Sequence, residues 1–160
     1  MIVPFEKMPS DSRIWIYQAE RPITEQEREL IMERTKDFVK NWSAHGVALT
    51  GSYCIRHDQF LIIAVDESVH LPSGCSIDAS VSLVRLLENE LRISFLDRSR
   101  VAIKSEDKIY LKAFNELKES VHSGSIKEND LVFDNTIQRM DELDSRWIVP
   151  VQTSWLSRYF

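Results

Sequence analysis

The sequence predicts an α+β protein, a ferredoxin-like (split β-α-β) antiparallel sheet with a C-terminal α/β extension. Three observations predict it. Between Arg13 and Lys112 the pattern reads strand, helix, strand, strand, helix, strand. The first and third strands are apolar on both faces, as central strands are. The second alternates with small and polar residues, as an edge strand can. The core is expected over residues 1–112, with residues 113–160 packed on it as one structural unit.

Each element has a local reason. Residues 1–12 read as an irregular lead-in. Arg13–Glu20 is rich in β-branched and aromatic residues and stops at Pro22. Thr24 and Glu27 form a capping box for a helix to about Ala44, with Gly46 as its stop. Val47–Arg56 and Phe60–Val65 flank the turn His57-Asp58-Gln59, so they pair as a hairpin. Ile77, Val81, Val84, Leu87 and Leu91 recur at helical spacing, with Ser76 as the N-cap. Arg100–Lys104 and Lys108–Lys112 are short strands joined at Ser105-Glu106-Asp107.

Beyond Lys112 the pattern is weaker. Asn115 is expected to cap a short helix that stops at Gly124. Leu131–Phe133 reads as a strand, and Asn135 as the cap of a helix through Ile137, Met140 and Leu143. Trp147–Val151 reads as extended, and Trp155, Tyr159 and Phe160 close the chain. A solvated tail is rarely so aromatic. Two helices cover one face of a ferredoxin-like sheet. The other, expected to carry Trp15 and Tyr17 or their counterparts, must be covered by residues 113–160 or by a second subunit.

Composition bounds the function. The 160 residues are 43% hydrophobic and 28% charged, an ordinary globular balance. A net charge of −5 argues against a nucleic-acid binder, which needs a basic stripe for phosphates. The longest apolar run, Phe60–Val65, is too short to span a bilayer, so no membrane role is expected. The first residues carry Glu6 and no long apolar stretch, so a cytoplasmic protein with reduced thiols is expected. Cys54 and Cys75 match no zinc spacing, and the four histidines show none either, so no metal or cofactor is expected.

The candidate site is the loop from Asp66 to Asp78, where a strand passes through Ser73-Gly74-Cys75-Ser76 into a helix. Such a junction suits a small anion, held by Ser73, Gly74, Cys75, Ser76 and Asp78, with Arg98 adding charge. Cys75 as nucleophile and Asp66 as acid–base group are the catalytic candidates. Each has a plainer reading. A helix end supplies only about 0.3–1 kcal/mol, too little to activate a thiol by itself. Asp66 and Glu67 are adjacent and point to opposite faces of a strand. Asp66 then stabilises the loop, Asp78 complements the helix dipole, and Arg98 sits in a surface turn. The run Gly46–Ser52 resembles the start of a phosphate-binding loop but lacks its lysine and opens a strand, so it is rejected.

The segments WIYQAERPIT, FLIIAVDESV, SGCSIDASV, FLDRSRVA, LVFDN and SRWIVPVQTSWLSRYF resemble a family of small uncharacterised bacterial proteins of about the same length. The resemblance runs from about Arg13 to Phe160. Some of its members carry the label "ABC transporter ATPase", which this sequence does not support: it has no Walker loop and no signature motif. The resemblance implies no activity and no catalytic residues.

Two functions follow as expectations. One is a binding protein, a homodimer or accessory subunit, using the aromatic sheet face or the C-terminal tail on a protein partner. The other is a small enzyme or anion-binding domain using the Asp66–Asp78 loop.

Overall fold

Two hydrophobic cores organise the chain, each with its own sheet. The computed structural model describes every residue from Met1 to Phe160. One unit comprises Met1–Leu96 with Gln138–Asp141, and the other Asp97–Ile137 with Glu142–Phe160.

In chain order the first unit contains β1 (Arg13–Gln18), α1 (Glu25–Asn41), a small hairpin of β2 (Ser43–Ala44) and β3 (Val47–Ala48), then β4 (Gly51–Arg56), β5 (Phe60–Val65) and α2 (Gly74–Leu91). The second contains β6 (Arg100–Ser105), β7 (Lys108–Ala113), α3 (Leu117–His122), β8 (Leu131–Phe133), the single turn α4 (Glu142–Ser145) and β9 (Ile148–Pro150). The protein is thus mixed helix and antiparallel sheet, as expected.

The first sheet has the order β1-β5-β4, all antiparallel. β5 is central and buried at all six positions, which an apolar residue at every position demands. The expected fourth strand is absent from it. Arg100–Ser105 pairs instead with β7 on one side and β8 on the other, in a sheet ordered β7-β6-β8-β9. β6 is thus an inner strand of that second sheet, with β8 paired at Ile103 and Lys104. The four-stranded core sheet is therefore corrected to three strands. The outer edge of β1 is met by the returning segment: Ile14 N–H donates to Gln138 O at 2.9 Å, and Met140 N–H to Ser12 O at 2.9 Å. Residues 135–141, expected to begin a helix, lie outside α4, and Arg139 forms an antiparallel bridge to Arg13.

Of the two facings open to β1, the structure has the one in which the counterparts of Trp15 and Tyr17 face away from the helices. Tyr17, Leu61, Ile63, Val65 and Ile55 share a core with Ile31 of α1 and with Val84 and Leu87 of α2, and Trp15 packs against it. The helices thus cover the aromatic face. The opposite face presents Ile14, Phe60, Ile62 and Ala64, all buried within one copy of the chain.

α1 starts as expected. Thr24 Oγ1 accepts from Glu27 N–H at 3.3 Å, and Glu27 Oε1 accepts from Thr24 N–H at 2.9 Å. Arg21 grips the Glu27 carboxylate with both amino groups at 2.9 Å, and this contact leads the causes that lower its pKa to about 2. α1 stops at Trp42, before Ala44. The Trp42 indole N–H donates to Ser76 O at 2.9 Å, tying the end of α1 to the first turn of α2. Its ring sits 5.1 Å from that of Phe38 and 6.0 Å from that of Trp15. Gly46 turns the small hairpin instead, at φ 77 beside His45 at φ 51, as a tight hairpin turn requires.

Gly51 opens β4 where α1 and β5 come closest. A Cβ there would lie 2.9 Å from Ala64 O and 3.2 Å from Val39. Gly51→Ala should therefore destabilise the protein by about 1–3 kcal/mol, from overpacking against backbone; an unchanged urea midpoint would refute the close packing. A second prediction concerns pH. Glu27 is held below its ordinary 4.5, so its contribution is complete above that value and is lost as pH falls towards about 2. The stability gap between wild type and Glu27→Gln, about 1 kcal/mol at pH 6, should narrow over that interval in acid–urea titrations.

Candidate functional site

The loop between β5 and α2 is built from side chains that close on their own backbone. Asp66, buried at the end of β5, accepts through Oδ1 from Ser68 N–H at 3.0 Å and Ser68 Oγ–H at 2.6 Å. Its own N–H donates to Thr50 O at 2.8 Å. Asp66 thus holds the turn that takes the chain off the sheet. An acid–base role would need a carboxylate facing open space.

The helix begins three residues earlier than the apolar spacing suggests. Ser73, rather than Ser76, is its N-cap: Ser73 Oγ accepts from Ser76 N–H at 3.1 Å, while Ser76 Oγ accepts from Ser73 N–H at 2.6 Å and donates to Ser73 O at 2.8 Å. Ile77 N–H donates to Ser73 O at 2.9 Å. Apolar periodicity starts only where the helix touches the core, and the first turn precedes that contact. Both serine hydroxyls, offered as anion ligands by the sequence, are taken up in the cap. The amides that remain belong to Gly74 and Cys75, both exposed, and a Cβ on Gly74 would meet nothing within 4 Å. Asp78 is exposed on the next turn.

Arg98 lies in the second unit and is exposed. It is the middle residue of a turn in which Asp97 Oδ1 accepts from Ser99 N–H at 2.8 Å and Ser99 Oγ–H at 2.6 Å. These two bonds hold the Asp97 carboxyl below its usual range, with Arg100 adding a smaller effect. The same device closes Asp134 on Thr136. Asp-x-Ser/Thr thus ends a strand or starts one at three places, and its spacing was visible in the sequence as a turn signal.

The two thiols differ sharply. Cys75 is exposed, and Cys54 in β4 is half-buried. Burial pushes the Cys54 thiol up to about 11, against a smaller opposing effect of Arg56. No group of three His, Cys, Asp or Glu side chains is placed to hold a metal ion, and no helix is long and apolar enough to cross a membrane.

A different surface stands out in the second unit. Val151 and Leu156 anchor the C-terminal 3-10 turns in a core with Val101, Ile103, Leu117, Val121, Ile126 and Val132. Ser154 caps the last turn, its Oγ accepting from Leu156 N–H at 3.1 Å. With Leu156 held inward, Trp155 is turned out. Trp155 is 41% exposed, Phe114 53% and Phe160 49%. The Phe114 and Trp155 rings lie 5.9 Å apart. The Arg158 guanidinium stands 5.6 Å above Trp155 and 5.0 Å from Tyr159. The aromatic closing run was legible in the sequence. Phe114 was missed, because only the fold brings it beside Trp155.

Alkylation followed by mass spectrometry should find Cys75 reacting at the rate of a thiol in an unstructured peptide, and Cys54 only as the protein opens. Faster labelling of Cys75 would restore the nucleophile reading. Comparison with family models, with curated proteins and with solved structures finds no match to this chain.

Proposed function

We propose that this is an interaction protein, an accessory or self-associating subunit, which engages a protein partner through the aromatic surface of its second unit. The observation that carries the reading is the pair Phe114 and Trp155, in tilted ring contact and left about half in water, with Arg158 over the indole. Aromatic residues and arginine dominate the energetic centres of protein interfaces. Each large ring left in water forgoes roughly 1.5–3 kcal/mol that a partner can supply.

The sheet face named in the sequence reading drops out of this proposal, because Ile14, Phe60, Ile62 and Ala64 are buried within one chain. The enzyme or anion-site alternative loses its support for a related reason: the loop hydroxyls and Asp66 are already bonded locally. A cytoplasmic location and membership of the small bacterial family that the sequence resembles belong to the same proposal and add no chemistry to it. So does the finer reading of the first unit as a ferredoxin-like arrangement short of its fourth strand. It is supported by the strand order β1-β5-β4 and by the segment Gln138–Asp141 beside β1.

The test separates an interface from a core. Phe114→Ser combined with Trp155→Ser should change unfolding free energy by less than about 1 kcal/mol, as exposed positions do. It should also abolish any association that light scattering or cross-linking detects in the wild type. Destabilisation by several kcal/mol with association intact would mark the two rings as structural and defeat the reading.

A further inference from the structure

β7 is a six-residue edge strand with nothing paired along its outer side. The hydrogen-bond phase of that edge follows from one contact. Phe114 N–H donates to Ser99 O at 3.1 Å, so Lys112, Tyr110 and Lys108 turn their backbone groups towards β6 and Ile109, Leu111 and Ala113 turn theirs outward. Ala113 N–H is taken by Glu116 Oε2 at 3.2 Å, as this phase requires. No backbone segment bonds to Ile109 or Leu111.

The edges of β4 and β1 are each met by chain at one end. Gly51 in β4 donates to Met1 O at 2.9 Å and accepts from Val3 N–H at 3.0 Å. β1 is met by Gln138 and Met140, as described above. β9 is three residues long and ends in Pro150, which blunts an edge. What marks out the β7 edge is the charge along it and the aromatic rings at its end.

Charge narrows its partner. Lys108 and Lys112 share one face of β7, on either side of Tyr110, and the Lys112 ammonium lies 5.9 Å from the Tyr110 ring. Neither lysine takes part in an ion pair, and β7 itself contains no acid. Ala113 leads directly into Phe114, so the edge runs into the Phe114–Trp155 pair.

We infer that β7 receives an extended, acidic segment of a partner protein as an added antiparallel strand, with carboxylates four residues apart opposite Lys108 and Lys112 and an apolar end towards Phe114 and Trp155. Main-chain bonds to Ile109 and Leu111 give such a complex its affinity, and the flanking charges give it selectivity. The inference rests on the interaction reading and narrows it to one edge and one chemistry. The competing occupant is a second copy. Self-pairing centred on Tyr110 opposes lysine to lysine at both ends, which is unfavourable, whereas pairing centred on Leu111 avoids this.

The probe is the blocked peptide acetyl-Ser-Glu-Val-Thr-Val-Glu-Ser-amide, compared with a version carrying lysine for both glutamates and with one N-methylated along its pairing edge. Amide exchange of Ile109 and Leu111 is read by NMR on the full chain. The acidic peptide should slow both amides about tenfold at millimolar concentration, and the two control peptides should not. Leu111→Pro removes an outward N–H without breaking the ladder to β6 and should abolish the slowing at Ile109. If that variant does not fold, the N-methylated peptide makes the same test from the other side. No slowing with the acidic peptide overturns the inference, as does equal slowing by the lysine peptide. Protection that grows with protein concentration alone, together with a doubled mass, makes a second copy the occupant and also overturns it. Should the peptide fail while Phe114→Ser with Trp155→Ser still abolishes association, β7 is the wrong edge and the interaction reading stands.

Discussion

A strand that is apolar at every position has no face to show to water, and β5 imposes that constraint on the first unit. Six consecutive buried residues need a neighbour on each edge and a layer on each side. β1 and β4 fill the edges, and α1 with α2 cover one face. Gly51 allows β4 to come close enough to do so. Trp42 then joins the two helices through its ring packing and its single buried hydrogen bond to Ser76 O. Exposing β5 would put several side chains in water at roughly 1.5–3 kcal/mol each, a large share of a domain's stability.

Polar groups in this molecule largely serve to end things. Asp66, Asp97 and Asp134 close turns, Thr24 and Ser73 open helices, and Glu88 accepts from Phe95 N–H at 2.8 Å and Leu96 N–H at 3.0 Å where the chain leaves α2. Each satisfies backbone groups that would otherwise lack partners. That is why the most site-like stretch of sequence carries so little chemistry. The residue types that bind anions at a helix start are also those that cap it, and here the cap has claimed them.

The second unit has the reverse character. Its interior is small, with Val151 and Leu156 pinning the last turns to the sheet. Its rim is aromatic and cationic, with Trp155, Arg158 and Phe160 at the end of the chain and Phe114 next to them. Rings of this size are seldom left in water without a use in recognition. The contrast between a closed polar loop in one unit and an open aromatic surface in the other is what supports the binding function we propose.

Elements decided by local patterning were legible from the residues alone. β5, the Thr24–Glu27 box, the hairpin of β6 with β7, and β8 stand where the alternation and turn chemistry put them, because their causes lie within a few positions of one another, whereas the expected strand Val47–Arg56 is broken into β3 and β4. The candidate loop joins a strand to a helix as its sequence suggested, but whether its hydroxyls were free depended on Ser76 reaching back to Ser73. Pairing between distant segments had no such local cause. β6 reads as well for a fourth strand beside β1 as for the centre of another sheet. β6 pairs with β7 along its length and with β8 at Ile103 and Lys104, and β1 is met by the segment around Gln138. Likewise the residues 135–141 have a helical look, yet bonding to an open strand edge satisfies their backbone where an isolated short helix is marginal in water. Composition and periodicity determined the segments whose causes are local, such as β5 and α2; only the competition for edges and faces in three dimensions decided which strands share a sheet, what residues 135–141 become and which aromatic rings stay outside.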